Sequence, residues 1–229
     1  MTREASDQNR IAVEIEREYG PFSGVAQVNG VTYDGESVWF AAGEKLHAFS
    51  PATGEAKRSL TVACDAGTAF DGTYLYQLAG GRIQKVDPHT GKVLSSIAAP
   101  RTARNSGLAW AEGSLWVGQH DEREIIRIDP ETGAVLSTVS SNRFVTGVSF
   151  CDGELWHATS SDSNGCATDG DALRSELRKI DPETGEVLEC LALPAGLQVS
   201  GLESDGKGRF FCGGGKSRTV RVVKRPKRG

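Results

Sequence analysis

One short phrase is written four times in this chain: "AFSPATGEA" from Ala48, "KVDPHTGKV" from Lys85, "RIDPETGAV" from Arg127 and "KIDPETGEV" from Lys179. Asp accepts hydrogen bonds from the backbone just ahead of it, Pro presets φ for the next position, Thr closes the turn and Gly takes a left-handed conformation. Each copy therefore reads as a tight connection between two antiparallel strands. The copy from Ala48 departs from the others, with Ser50 in place of Asp.

A second marker recurs upstream of each copy. It is a small or polar residue, then Gly, then usually an apolar residue: "NGV" at Asn29, "AGT" at Ala66, "SGL" at Ser106, "TGV" at Thr146 and "SGL" at Ser200. Between the two markers the order is constant. A short strand comes first, then a turn ("YDG", "FDG", "AEG", "CDG", "SDG"), a second strand ("SVWF", "YLYQ", "SLWV", "ELWH", "RFFC"), a loop and a third strand. The recurring turn and a fourth strand complete the unit. Four short strands per period of about 40 residues is the pattern of propeller blades.

Five first markers and four turns leave the last unit one strand short, and the N-terminal region supplies an orphan alternating segment, "IAVEIERE" at Ile11–Glu18. The sequence thus predicts an all-β fold, a five-bladed β-propeller of four-stranded antiparallel blades. Its ring is closed by the strand at about residues 11–18 joining the last blade, which removes the open edges. The expected organisation is one domain over 1–229, with blades at about 24–62, 63–98, 103–139, 143–193 and 197–224. Trp39, Tyr76, Trp116 and Trp156 hold equivalent places on second strands and read as core between blades.

Composition narrows the function. A net charge of −4 and a pI near 5.7 provide no general basic field for nucleic acid, and the basic end "VVKRPKRG" reads as a solvated tail. No apolar run approaches the roughly 20 residues that cross a bilayer, so no membrane partner is expected. The start "MTREASDQNR" lacks the apolar stretch of a secretory signal, and five cysteines in irregular spacing do not form a disulfide framework. These features point to a cytoplasmic protein.

In a propeller the first strands line a central channel, and the loops entering them share one face, the mouth, with those joining strands two and three. Counting back from each marker glycine gives one inward layer of Asn29, Ala66, Ser106, Thr146 and Ser200. A second, nearer the mouth, holds Gln27, Cys64, Arg104, Phe144 and Gln198. Arg104 is the one charge in these layers, with Asp65, Asn105 and Arg143 beside it at the rim. The expected ligand-binding set is Gln27, Asn29, Asp65, Arg104, Asn105, Ser106, Arg143 and Gln198, suited to a small polar or anionic ligand that Arg104 anchors. A water-filled structural channel is the competing reading. Cys64 is either a nucleophile or buried filler.

His120 in "GQHDERE" and His157 in "LWHATSS" sit high on adjacent blades and are the candidate acid–base residues. His157 leads into the one large insertion, 160–178, which carries Asp162, Cys166, Asp169 and Asp171. Such a cluster could ligate a divalent metal, although no pair has ligand spacing and "DSNGCATDGD" lacks the closing Glu of an EF-hand. His47, on a third strand, and His89, in a turn, lie away from the mouth.

The "LW–loop–IxxIDPxTGxVL" repeat resembles propellers grouped around glutaminyl cyclotransferase, virginiamycin B lyase, the gluconolactonase/regucalcin enzymes and quinoprotein-like repeat proteins. The cyclotransferase resemblance implies an acid in an "EGL" opening and a "NELE" stretch; here "NGV" and "SGLES" lack the first acid and leave Glu203. The lactonase resemblance implies a divalent metal, with Asn29, Asp65 and Asn105 as the matching donors. The lyase's channel His and Glu beside magnesium have no counterpart. Two functions stand from the sequence: a non-catalytic module binding a small ligand or a protein partner, and a cyclotransferase, lyase or lactonase-like enzyme acting at the same mouth.

Overall fold

The computed structural model describes residues 10–101, 104–160 and 174–226. The chain enters through β1 (Arg10–Ala12) and β2 (Ile15–Tyr19). Blade one holds β3 (Val31–Tyr33), β4 (Val38–Phe49) and β5 (Ala56–Cys64). Its β4 contains both middle strands: the chain turns back at Gly43, φ +67°, so Phe40 and His47 stack with centroids 5.0 Å apart. Blade two is β6 (Thr68–Phe70), β7 (Leu75–Ala79), β8 (Arg82–Val86) and β9 (Val93–Ala98). Blade three is β10 (Asn105–Ala111), β11 (Ser114–Gln119), β12 (Glu124–Ile128) and β13 (Val135–Ser140). Blade four is β14 (Phe144–Cys151), β15 (Glu154–Ser160), β16 (Ser175–Ile180) and β17 (Val187–Ala192). Blade five is β18 (Gly201–Ser204), β19 (Arg209–Gly213) and β20 (Val220–Lys224), and β2 pairs antiparallel with β20 as its outer strand. The fold is a five-bladed β-propeller closed by an N-terminal strand.

Closure falls on Ile15–Tyr19, with Glu18 opposite Arg221 and their side chains paired at 2.5 Å. The first part of the expected closing segment does something else. Residues 10–12 add in parallel to β17 of blade four, and Val13 is buried in the core between blades four and five. The segment thus spans a seam between blades instead of completing one of them.

The recurring turn does two jobs. Asp87, Asp129 and Asp181 each accept backbone N–H bonds from the residues two and three further on, past the proline, as at 2.7 and 3.0 Å for Asp87, and these donors, led at Asp129 by the Thr132 hydroxyl, hold the carboxyls below their ordinary pKa. Gly91, Gly133 and Gly185 have φ of +74°, +75° and +74°. Each turn also seats on the outer strand of the preceding blade. A Cβ on Gly91 would meet Leu60 at 3.3 Å, one on Gly133 would meet the Ala98 carbonyl at 3.5 Å, and one on Gly185 would strike the Ser140 carbonyl. The chain needs this turn four times because each copy closes its own blade and fastens it to the one before.

The first-marker glycines have a different reason. Their φ values are ordinary, but a Cβ on Gly30 would lie 2.5 Å from Ala66 O, one on Gly107 2.5 Å from Val148 N, one on Gly147 2.7 Å from Leu202 N and one on Gly201 2.5 Å from Asn29 O. Gly67 closes in the same way on Leu108 N. The five inner strands therefore meet glycine to glycine around the axis, and only a residue without a side chain lets them approach.

Toward the far face the seams are filled by rings. In three blades the residue three after the marker glycine packs on the second-strand aromatic of the preceding blade: Tyr33 tilted against Phe211 at 5.5 Å, Trp110 stacked on Tyr76 at 5.3 Å and Phe150 stacked on Trp116 at 5.8 Å. Trp39, Tyr76, Trp116 and Trp156 are all buried, in line with their reading as core. No helix among the described residues is long and apolar enough to cross a membrane.

Candidate functional site

Inner strands run from the mouth to the far face, so the loop before β10 and the β11–β12 loop meet at the mouth of blade three. Their backbones are joined there, His120 N donating to Arg104 O at 3.1 Å. Arg104 has φ +23°, a conformation that costs a non-glycine residue on the order of 1–3 kcal/mol and that surrounding structure must hold. Its side chain is 67 % exposed, and its Nε lies 3.6 Å from Asp121 Oδ2. The other oxygen of Asp121 is 2.7 Å from Nδ1 of His120. One carboxylate thus orients both a guanidinium and an imidazole, while Nε2 of His120 makes no hydrogen bond among the described residues.

The imidazole is fixed from the side as well. It stacks on Phe144 of blade four at 4.8 Å and 12°, and the Arg123 guanidinium lies over the same ring at 4.5 Å. Below it a relay of side-chain amides has a fixed direction. Asn105 Nδ2 donates to Arg101 O at 3.1 Å, so its Oδ1 must accept, and it takes Gln119 Nε2 at 2.6 Å. Gln119 is fully buried, and its Oε1 has no donor among the described residues. The mouth of blade three therefore presents cations, an oriented imidazole and a buried acceptor.

The remaining expected residues are dispersed. Gln27 and Gln198 are exposed and Asn29 is half-buried, on blades one and five. Asp65 is exposed and caps Gly80 N at 3.0 Å. Ser106 donates its hydroxyl to Val145 O at 2.6 Å, and Ser200 to Val28 O at 2.5 Å, so these side chains stitch neighbouring blades together. Arg143 is exposed at the start of blade four. Cys64 is buried with its thiol on Lys45 O, and burial pushes its pKa up to about 11, which makes it filler.

His157 is not at the mouth. It is 0 % exposed, its Nε2 is 3.4 Å from Ser141 Oγ, and burial together with the nearby Arg178 lowers its pKa to about 4, keeping it neutral. Beside it Arg178 and Glu176 form a buried pair that also engages Asn142 and Arg10. Asp162, Cys166, Asp169 and Asp171 of the insertion lie outside the described residues. Among those described, no group of three or more His, Cys, Asp and Glu could hold a metal.

Sequence reasoning undervalued one acid. Glu203 lies two residues after the marker glycine of blade five, deep in the axis yet touching the lumen. Thr32 Oγ1 donates to it at 2.7 Å, Ser149 Oγ at 3.0 Å and Ser204 N at 2.8 Å, joining blades one, four and five. Burial raises its pKa to about 7 despite these donors. The signal was its parity with Thr32 and Ser149, which hold the same place after their own marker glycines.

The structure is similar to that of the Myxococcus xanthus glutaminyl cyclase, with a TM-score of 0.74 at 17% identity over 94% of this chain and 97% of that one. It is less similar to the Kuenenia stuttgartiensis hydrazine synthase, with a TM-score of 0.51 at 16% identity over 82% of this chain and 56% of that one. The WD40 β-propeller domain of Doa1 gives 0.51 at 16% identity, over 86% and 63%. At these identities the likeness is one of fold. No curated protein matches this chain. Residues 44–166, more than half of the chain and spanning the copies of the turn in blades one to three, match the family described as Repeat of unknown function (DUF6923), and the chain belongs to that family.

Proposed function

We propose that the protein binds a small anionic ligand at the mouth of blade three, with Arg104 as the anchor. The observation that carries this reading is the shared carboxylate of Asp121, which holds Arg104 and His120 side by side at the rim. A guanidinium grips a carboxylate through two parallel hydrogen bonds, and Arg104 is exposed enough to exchange its 3.6 Å contact for such a pair. Thermal-shift screening of small carboxylates on wild type and Arg104→Ala tests the reading. Stabilisation of wild type alone is expected, and equal stabilisation of both would remove Arg104 as the anchor.

A second reading, an enzyme at the same mouth, is favoured by one geometric fact. His120 is held at Nδ1 by Asp121 with Nε2 turned away from that contact, an arrangement fit for a general base. Under this reading His120→Ala abolishes turnover of a ligand that it still binds. The similarity to a glutaminyl cyclase makes an N-terminal glutaminyl peptide the first substrate to assay, although the matching acid before each marker glycine is absent here.

A further inference from the structure

Blades two, three and four share a feature on the far face. A cation on the third strand lies opposite the second-strand aromatic: Lys85 opposite Tyr76, Arg127 opposite Trp116 and Lys179 opposite Trp156. Lys85 Nζ lies 5.6 Å from the Tyr76 centroid and the Arg127 guanidinium 5.4 Å from that of Trp116. Blade five breaks the rule, with Val222 opposite Phe211. Blade one also lacks the cation, but there the larger indole of Trp39 is buried with Leu60, Val86 and Phe70.

Where blade five lacks its cation the surface opens into a cavity of about 410 Å³ between blades five and one. Phe211, Tyr33 and Val222 are among its apolar walls, and Arg17, Lys207 and Arg209 line it from the charged side together with Glu16 and Asp205. The charges do not cancel. Both oxygens of Glu16 are taken by Arg209 at 2.9 and 3.0 Å, and Asp205 Oδ1 accepts the backbone N–H groups of Lys207 and Arg209. Arg17 donates to the carbonyls of Pro51 and Ala52 at 3.1 and 2.8 Å, and Lys207 belongs to no ion pair among the described residues. Arg209 also lies 4.0 Å from Asp205 Oδ2, so it serves both carboxylates, and the net positive charge of the rim is carried by Arg17 and Lys207.

We infer that this cavity, on the face opposite the mouth, is a second binding site and takes a small planar aromatic anion, its ring against the half-buried Tyr33 and its carboxylate toward Lys207 and Arg17. The volume is ample for one substituted ring, and an offset or edge contact with Tyr33 recognises planarity where acetate offers none. Arg17 is already oriented by the turn of blade one, so its charge is in place before the ligand arrives.

The test is a titration of the full chain with benzoate, with acetate and benzylamine as controls, followed through ligand resonances. Lys207 is exposed, so Lys207→Glu keeps the fold, which an unchanged melting temperature verifies, while Lys207→Arg retains the charge. Saturable benzoate binding that weakens about tenfold or more in Lys207→Glu and persists in Lys207→Arg is expected, with acetate and benzylamine weaker. Benzoate binding equal in wild type and Lys207→Glu, acetate binding equal to benzoate, or no benzoate binding at all would each overturn the inference and leave a solvent-filled groove.

Discussion

Blades three and five close in different ways, and the difference shows what the repeat is for. Blade three is one continuous stretch whose D-P-x-T-G turn seats on blade two. Blade five is assembled from both ends of the described chain, and no such turn fastens it to blade four. Side chains take over: Arg225, just after β20, pairs with Glu154 and Asp152 of blade four and lies over Trp156 at 5.0 Å, while Val13 fills the seam beneath. Where the repeat is kept, its residues hold blades together. Where it is broken, at Val222 in blade five, a charged cavity is left over.

The most severe way to break the contrast is to remove residues 1–19. Blade five would lose its outer strand, Arg221 its partner Glu18 and blade four its fifth strand, a cost of several kcal/mol, on the order of 3–5. The chain should melt far lower and self-associate, which thermal melting with light scattering reads. Unchanged melting would mean that the covalently continuous seams suffice.

A turn-closed seam should be nearly as sensitive at a single atom position. Gly185→Val forces a β-branched residue into φ +74° and drives a Cβ into the Ser140 carbonyl, for about 3 kcal/mol of destabilisation in denaturant unfolding. Gly54→Val should cost less on the packing side, since its Cβ would meet only the movable ring of Tyr19 at 3.2 Å.

The smallest effect is in the channel. The folded pKa of Glu203, about 7, is above its ordinary value of 4.5, so its contribution to stability is fully present below pH 4.5 and is lost as pH rises to about 7. Glu203→Gln should therefore be more stable than wild type at pH 8, by about 2 kcal/mol, with the gap closing toward pH 4.5. A gap that does not change with pH would show that Glu203 does not titrate in that window.

The turns, their left-handed glycines, the buried aromatics and the closing strand were legible because each is a local pattern repeated at fixed spacing. Side-chain direction near the marker glycines was not. The ladders shift register between Asn105 and Leu108 and between Val145 and Gly147, and such a bulge breaks the alternation used to assign inward-facing layers. Ser106, inside the first of these bulges, therefore faces the neighbouring blade; Cys64 ends an outer strand and lies in a blade core, while Ser200 faces the next blade and Glu203 the axis with no register shift in their ladder. His157 is enclosed by Ser141 and the buried Glu176–Arg178 pair, a burial that its place in "LWHATSS" does not reveal. Asp121, which gives His120 and Arg104 their geometry, follows His120 directly, and only the structure brings Arg104 against it.

The central claim is that the mouth of blade three and the break in the repeat at blade five make two separate anion sites, on opposite faces. Parallel titrations of wild type, Arg104→Ala and Lys207→Glu with a hydroxy acid such as glycolate and with benzoate measure it most directly. Arg104→Ala should lose glycolate by about 2 kcal/mol while keeping benzoate, and Lys207→Glu should do the reverse. Loss of both ligands in either variant, or glycolate binding untouched by Arg104→Ala, would contradict it.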